Sequence, residues 1–188
     1  VFICVLLFLC LCSSLTAQSL PGGAGTIQEA IDIAVEGEIV LIPPGTYREN
    51  INFKGKNIIL RSTYRDDPGA VYSTVIEGTG PVITFKGTET PECILEGFTI
   101  TGGETYAGGG IKGNRTRATI LANRIESNNA VTGGAIYNAD GLIKGNTFFF
   151  NRAQKKGGAL AGCDGTISGN RIFQNTAQSY DGGGLFDC

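Results

Sequence analysis

The chain has 188 residues, with 15 Lys+Arg against 17 Asp+Glu, a net charge of −2, and no His, Trp or Met. Without His there is no Ser-His-Asp triad, no Cys-His pair and no imidazole-ligated zinc. A near-neutral chain also lacks the clustered Lys/Arg footprint of a nucleic-acid binder, so no nucleic-acid partner is expected. An apolar content of 41 % with 17 % charged residues is enough for one folded domain rather than a disordered tail.

Val1 to Cys12 is an uncharged apolar run, followed by Ser13-Ser14-Leu15-Thr16-Ala17. Twelve residues are too few for a spanning helix, which needs about 20. The run fits the apolar region of a secretory signal over 1–17, its positive start missing, with cleavage after Ala17; a truncated membrane anchor is the alternative. The mature chain is then secreted or displayed at the cell surface, without a stable membrane span. Leu9 and Leu11 precede Cys10 and Cys12, where a lipid-attachment site wants a small residue. The missing Met, and a stop at Cys188 a few residues into a repeat, point to a piece of a longer reading frame. Cleavage leaves Cys93, Cys163 and Cys188, too sparse and odd a set for a disulfide framework.

Residues 18–37 read as a linker and a capping helix. Thr26-Ile27-Gln28-Glu29 is a capping box, and Ile27, Ala30, Ile31, Ala34 and Val35 share one face, with Gly37 ending the helix. Short strands follow at Ile39–Ile42, Asn57–Leu60, Thr74–Ile76, Pro81–Phe85 and Cys93–Leu95, separated by Gly, Pro and Asn. Pro43-Pro44-Gly45 and Asp66-Asp67-Pro68-Gly69 read as turns.

From residue 108 the chain repeats. Gly108-Gly109-Gly110-Ile111, Gly133-Gly134-Ala135-Ile136, Gly157-Gly158-Ala159-Leu160 and Gly182-Gly183-Gly184-Leu185 follow one another at 25, 24 and 25 positions. Between them stand Asn123-x4-Asn128, Asn146-x4-Asn151 and Asn170-x4-Asn175. Apolar columns keep the beat: Ile120, Ile143 and Ile167; Ile100, Ile125, Phe148 and Ile172; Ala130, Ala153 and Ala177. Helical repeats are longer and need 3.6-periodic runs, which are absent, and the Leu-x-x-Leu-x-Leu core of leucine-rich repeats is not found. The period fits a parallel β-helix, with three short strands per coil and coils stacked about 4.8 Å apart. Asn, which tolerates left-handed backbone and can hydrogen-bond to its own chain, suits a repeated corner, and glycine suits the tight turns. The fold class is all-β: a right-handed parallel β-helix of about six coils over 38–188, closed at its start by the helix.

Thr26-Ile-Gln-Glu-Ala-Ile-Asp through Ile42-Pro-Pro-Gly-Thr-Tyr-Arg-Glu-Asn-Ile resembles the opening of proteins of the pectin-lyase-like superfamily. The later pattern, Gly-Gly-Ala-Ile/Leu with Phe148-x-x-Asn151 and Ile172-x-x-Asn175, is similar to the repeats of polymorphic outer-membrane proteins. The resemblance covers roughly 26–188 and implies the fold, an exported location and contact with polysaccharide. The paired-Asp, Asp/His and calcium-plus-Arg arrangements of the superfamily's enzymes find no matching motif, so no catalytic residue is carried over.

Candidate sites are few. Asp140-Gly141 and Asp164-Gly165, 24 apart, stack two carboxylates that can hold Ca2+ or share a proton; an Asp-Gly turn explains the same pair. Arg124 and Arg171 can grip uronate carboxylates, with Thr147 interrupting the column; a solvated face is the alternative. Tyr106, Tyr137 and Tyr180 offer aromatic faces to sugars or pack as rims. Cys163 and Cys188 lie one coil apart, within reach of a disulfide, or as a column of thiols. Asn114-Arg115-Thr116 is a glycosylation acceptor pattern. Two functions remain open: a polysaccharide-contacting exported module, whether or not within a longer enzyme, and a non-enzymatic passenger or adhesin repeat region.

Overall fold

The computed structural model describes residues 20–63, 68–179 and 182–188, so the expected signal segment lies outside it. Six coils stack as a parallel β-solenoid, every strand pairing with its counterpart in the neighbouring coil. The first sheet stacks Ile39–Ile42, Ile59–Ser62, Ile94–Glu96, Thr119–Leu121, Leu142–Lys144 and Thr166–Ser168. The second stacks Gly45–Arg48, Thr74–Glu77, Thr99–Thr101, Arg124–Glu126, Thr147–Phe149 and Arg171–Phe173. The third stacks Ile51–Asn52, Ile83–Thr84, Ile111–Thr116, Ile136–Ala139, Leu160–Ala161 and Leu185–Phe186.

The expected columns are in register. Val40, Leu60, Leu95, Ile120, Ile143 and Ile167 stack inside the first sheet. Ile76, Ile100, Ile125, Phe148 and Ile172 do so inside the second. Alternation along each strand sends these residues inward and their neighbours outward, and the inward set merges into one buried core. Coils three to six carry four strands rather than the expected three. A fourth sheet, Glu104–Ala107, Asn129–Thr132, Arg152–Lys156 and Thr176–Ala177, lies between the second and third in chain order. The expected turn at Pro43-Pro44 separates the first two strands, with Gly45 already in the second of them. Pro68–Ser73 is a helix, α2, where a turn is expected; Asp66 and Asp67 of that turn lie outside the described residues.

The corners show why Asn and Gly recur. Asn123 Oδ1 accepts from Phe98 N, Asn146 Oδ1 from Asn123 N, and Asn170 Oδ1 from Asn146 N, at 2.8–3.1 Å. Each amide nitrogen donates to a carbonyl of the coil below, on Leu95, Ile120 and Ile143. Asn128, Asn151 and Asn175 build a second ladder in the same way. The left-handed backbone expected of these Asn residues sits instead one position earlier, at Ala122 (φ 51°), Ser127 (54°), Phe150 (54°) and Gln174 (54°). Asn is there to satisfy buried backbone groups where the strands bend apart. In the Gly-Gly motif the first glycine has φ near +60° at Gly108, Gly133, Gly157 and Gly182. The second leaves no room: a Cβ on Gly134 would run into Gly158 O of the next coil.

The N-terminal helix α1, Ile27–Ile33, buries Ile27, Ala30 and Ile31 against the first coil. Thr26 Oγ1 accepts from Glu29 N at 3.0 Å, while the Glu29 carboxylate accepts from Gly25 N. The helix ends earlier than expected: Ala34 is already extended, and Val35 is 68 % exposed rather than on the buried face.

Candidate functional site

Two outward columns run side by side on the second sheet. One reads Thr99, Arg124, Thr147, Arg171; the other reads Thr101, Glu126, Phe149, Phe173. Phe149 and Phe173 stack with centroids 5.4 Å apart, nearly parallel at 13°. The chain between Ile59–Ser62 and Thr74–Glu77 brings α2 over this face, where Thr99 Oγ1 donates to Val71 O at 2.6 Å. Tyr72, the next residue, is 61 % exposed and places its ring 4.6 Å from the Arg124 guanidinium carbon. The Phe149 ring lies 4.0 Å from the same carbon.

Arg124 is thus held between two aromatic faces, a cation–π arrangement that strengthens as water is excluded. Its Nη2 lies 2.5 Å from Glu126 Oε2, and its buried Nε finds no acceptor among the described residues. Beside it opens a groove of about 320 Å³, lined by Val71, Tyr72, Asn123, Arg124, Gly145 and Thr147 among others. Polar donors, an aromatic face and a fixed cation at one edge suit a hydroxyl-rich ligand better than a purely apolar one.

The sequence candidates fall as follows. Arg124 and Arg171 share a column on either side of Thr147; Arg171 is exposed. Asp140 and Asp164 sit one coil apart, and Asp140 Oδ1 accepts from Asp164 N at 3.3 Å. Their glycines, Gly141 and Gly165, are stacked so tightly that a Cβ on either would strike backbone of the preceding coil. These contacts tie the Asp-Gly segments of neighbouring coils together. Among the described residues no three His, Cys, Asp or Glu side chains gather as a metal site. Tyr106 is exposed on the fourth sheet and Tyr137 half-buried on the third, so they do not join the groove; Tyr180 lies outside the described residues. Asn114 is exposed, with its Nδ2 donating to Phe85 O at 2.6 Å, and Thr116 is buried against Glu89.

Cys163 and Cys188 are both free thiols, Cys163 buried and Cys188 exposed. Cys93 is buried elsewhere in the core, and burial pushes its thiol up to about 12. No helix of the described residues is long and apolar enough to cross a membrane, which says nothing of β-barrels.

Tyr72, Glu126, Phe149 and Phe173 escaped the sequence reading. Phe149 was within reach of it: with Phe148 inside, alternation sends Phe149 out, and Phe173 follows 24 positions later. Tyr72 carried no such signal, because an insertion outside the repeat delivers it. No protein-family model, curated protein or solved structure matches the chain.

Proposed function

We propose that the chain is the solenoid region of an exported or surface-displayed protein that contacts polysaccharide along the outer face of its second sheet, in keeping with its resemblance to pectin-lyase-like proteins. The observation that carries this reading is the strip of Tyr72, Arg124, Phe149, Phe173 and Arg171 beside the groove under α2. Aromatic faces stack on sugar rings through their apolar C–H surfaces, and an exposed guanidinium binds carboxylates or hydroxyls. The Arg171 column position is two rungs from Arg124, about 9.6 Å at ordinary strand spacing, so a linear chain lying along the stack would meet both. The proposal is binding, with no bond-breaking step assigned to any residue.

The alternative is a passenger or adhesin repeat whose work is length and partner display. The Asn and Gly columns favour it, because their side chains and backbones are used up in holding coils together. Affinity electrophoresis of the full chain through gels containing polygalacturonate, neutral glucan or no polymer separates the two. Polysaccharide contact predicts retardation that falls at least fivefold in Tyr72→Ala and in Phe173→Ala. Mobility unchanged by every polymer leaves the passenger reading, and retardation that both variants retain overturns the second-sheet face as the place of contact.

A further inference from the structure

The outward side chains of the third sheet form a second face, separate from the one under α2. Asn52, Thr84, Lys112 and Tyr137 pair rung by rung through the first four coils. Their neighbours Ile51, Ile83, Ile111 and Ile136 are buried, and alternation turns the four outward. Phe53 and Phe85 come next, buried and stacked with centroids 4.6 Å apart. Lys54 and Lys86 follow them directly. A groove of about 430 Å³ opens here, lined by Asn52, Lys54, Thr84, Phe85, Lys86 and Asn114.

Donors dominate this groove and its rim. Lys86, Lys112 and Arg115 form no ion pair among the described residues. The neighbouring carboxylates are already engaged. Asp32 accepts from Lys54 Nζ at 2.7 and 2.9 Å. Glu89 is buried and accepts from Gly55 N, Lys86 N, Gly87 N and Thr116 Oγ1. Both amides are fixed: Asn52 Oδ1 accepts from Lys54 N at 2.8 Å, and Asn114 Nδ2 donates to Phe85 O at 2.6 Å. The corner at Asn114 is strained. Asn114 and Arg115 are consecutive left-handed residues, φ 53° and 67°, within the bulge where the pairing of Ile111–Thr116 with Ile136–Ala139 shifts. Arginine takes this backbone poorly, and such bulges re-aim side chains beside binding sites.

We propose that this groove binds the phosphate monoester of a phosphorylated sugar, at a site independent of the polysaccharide contact on the second sheet. Lysine offers a compact charge with three rotating donors, which suits the spread oxygens of a tetrahedral oxyanion. Planar carboxylates are better gripped by a guanidinium fork. A phosphate monoester carries a charge of about −1.5 to −2 at neutral pH, so it answers two lysines where a carboxylate answers one. Lys86 and Lys112 hold the phosphate from adjacent coils, with Thr84 Oγ1 and Asn52 Nδ2 as further donors. Tyr137 stands one rung beyond Lys112, half-buried, and its ring face suits the apolar C–H surface of the sugar.

Isothermal titration of the full chain with glucose 6-phosphate, inorganic phosphate, acetate and glucose, all at one ionic strength, tests the site. Glucose 6-phosphate is expected to bind most tightly, inorganic phosphate more weakly, and acetate and glucose not at all. Lys86→Gln and Lys112→Gln should each weaken glucose 6-phosphate about fivefold, the worth of one partly solvated charge pair. Tyr137→Ala should weaken glucose 6-phosphate and leave inorganic phosphate unchanged. Lys155→Gln removes the same charge from an exposed place on the fourth sheet and should change neither. In the unaltered chain the Thr84, Lys86 and Asn114 amide resonances should shift during the titration, which locates the ligand even if a variant fails to fold. Absence of binding by both phosphates, equal affinity for acetate, an equal loss in Lys155→Gln, or shifts confined to other coils overturns the site. Binding to phosphatidylcholine vesicles carrying phosphatidylinositol 4-phosphate, with none to glucose 6-phosphate, overturns the sugar as bearer.

Discussion

Glu49 and Asn151 meet the same requirement in different halves of the molecule: each supplies oxygens to backbone N–H groups that no strand can satisfy. At the capped end every solution is particular. Glu49 accepts from the first two N–H groups of α1, Ile27 and Gln28, at 2.9 and 3.0 Å. Gln28 pairs with the edge of the third sheet as a strand would, donating to Asn52 O and accepting from Asn52 N. Lys56 Nζ reaches the carbonyls of Ile31, Asp32 and Ala34 at 2.7–2.9 Å, closing the other end of the helix where a cation is favoured. Glu89, buried at the corner between the early coils, accepts from Gly55 N, Lys86 N, Gly87 N and Thr116 Oγ1. In coils four to six one residue type, Asn, does this work each time, at two corner positions per coil. An end must be unlike its neighbours because it faces something other than another coil, whereas an interior coil faces copies of itself on both sides.

The comparison is broken most directly by Asn151→Leu. Asn151 is fully buried, its Oδ1 accepts from Asn128 N, and its Nδ2 serves Ile125 O and Asn175 Oδ1. Leucine fills similar space but orphans groups on both adjoining coils, at about 1–3 kcal/mol for each buried group left unpaired. The expected loss is about 3 kcal/mol, read from the urea midpoint. Asn175→Leu, with a ladder partner on one side, is expected to lose about 1 kcal/mol. Equal losses from the two would show that the ladder is decoration on an already sufficient core.

How much of this was legible followed the same division. The columns ending in Ile167, Ile172 and Ala177 were readable because identical neighbours impose identical positions, and a period survives translation into sequence. The Asn columns were found, and of the two duties expected of them the hydrogen bonding holds while the left-handed backbone does not. Composition reveals a residue type, not φ, and Ala122 and Phe150 give no hint that they hold the left-handed corner. Glu49 and Glu89 were invisible, since each solves a single long-range problem and recurs nowhere. Tyr72 was lost for that reason too, as its meeting with Arg124 depends on how α2 folds back over the second sheet.

A second variant sharpens the comparison from the capped side. Glu89→Gln replaces one acceptor oxygen by a donor amide facing N–H groups already pointed at it. Hydrogen bonds to a charged acceptor are worth about 1.5–3 kcal/mol, so a loss of about 2 kcal/mol is expected. Hydrogen exchange should localise it, with Gly55, Lys86 and Gly87 amides losing protection while Asn146 and Asn151 amides keep theirs. Loss spread evenly through all six coils would mean that the two halves unfold as one unit.

The smallest effect tests whether the repeated coils carry strain that repetition has not removed. Ser127 holds φ 54°, is exposed, and occupies the position that Gly102 takes one coil earlier with φ 80°. A left-handed non-glycine residue costs about 1–2 kcal/mol. Glycine relieves this but adds freedom to the unfolded chain, at about 0.4–1 kcal/mol. Ser127→Gly is therefore expected to stabilise the chain by about 0.5 kcal/mol, a rise of one or two degrees in Tm. Ser127→Val, whose branched Cβ tolerates this backbone poorly, should lower Tm by more than the glycine raises it. If glycine lowered stability as well, the serine would be making a contact that offsets the strain, and this corner would belong with the particular solutions of the capped end.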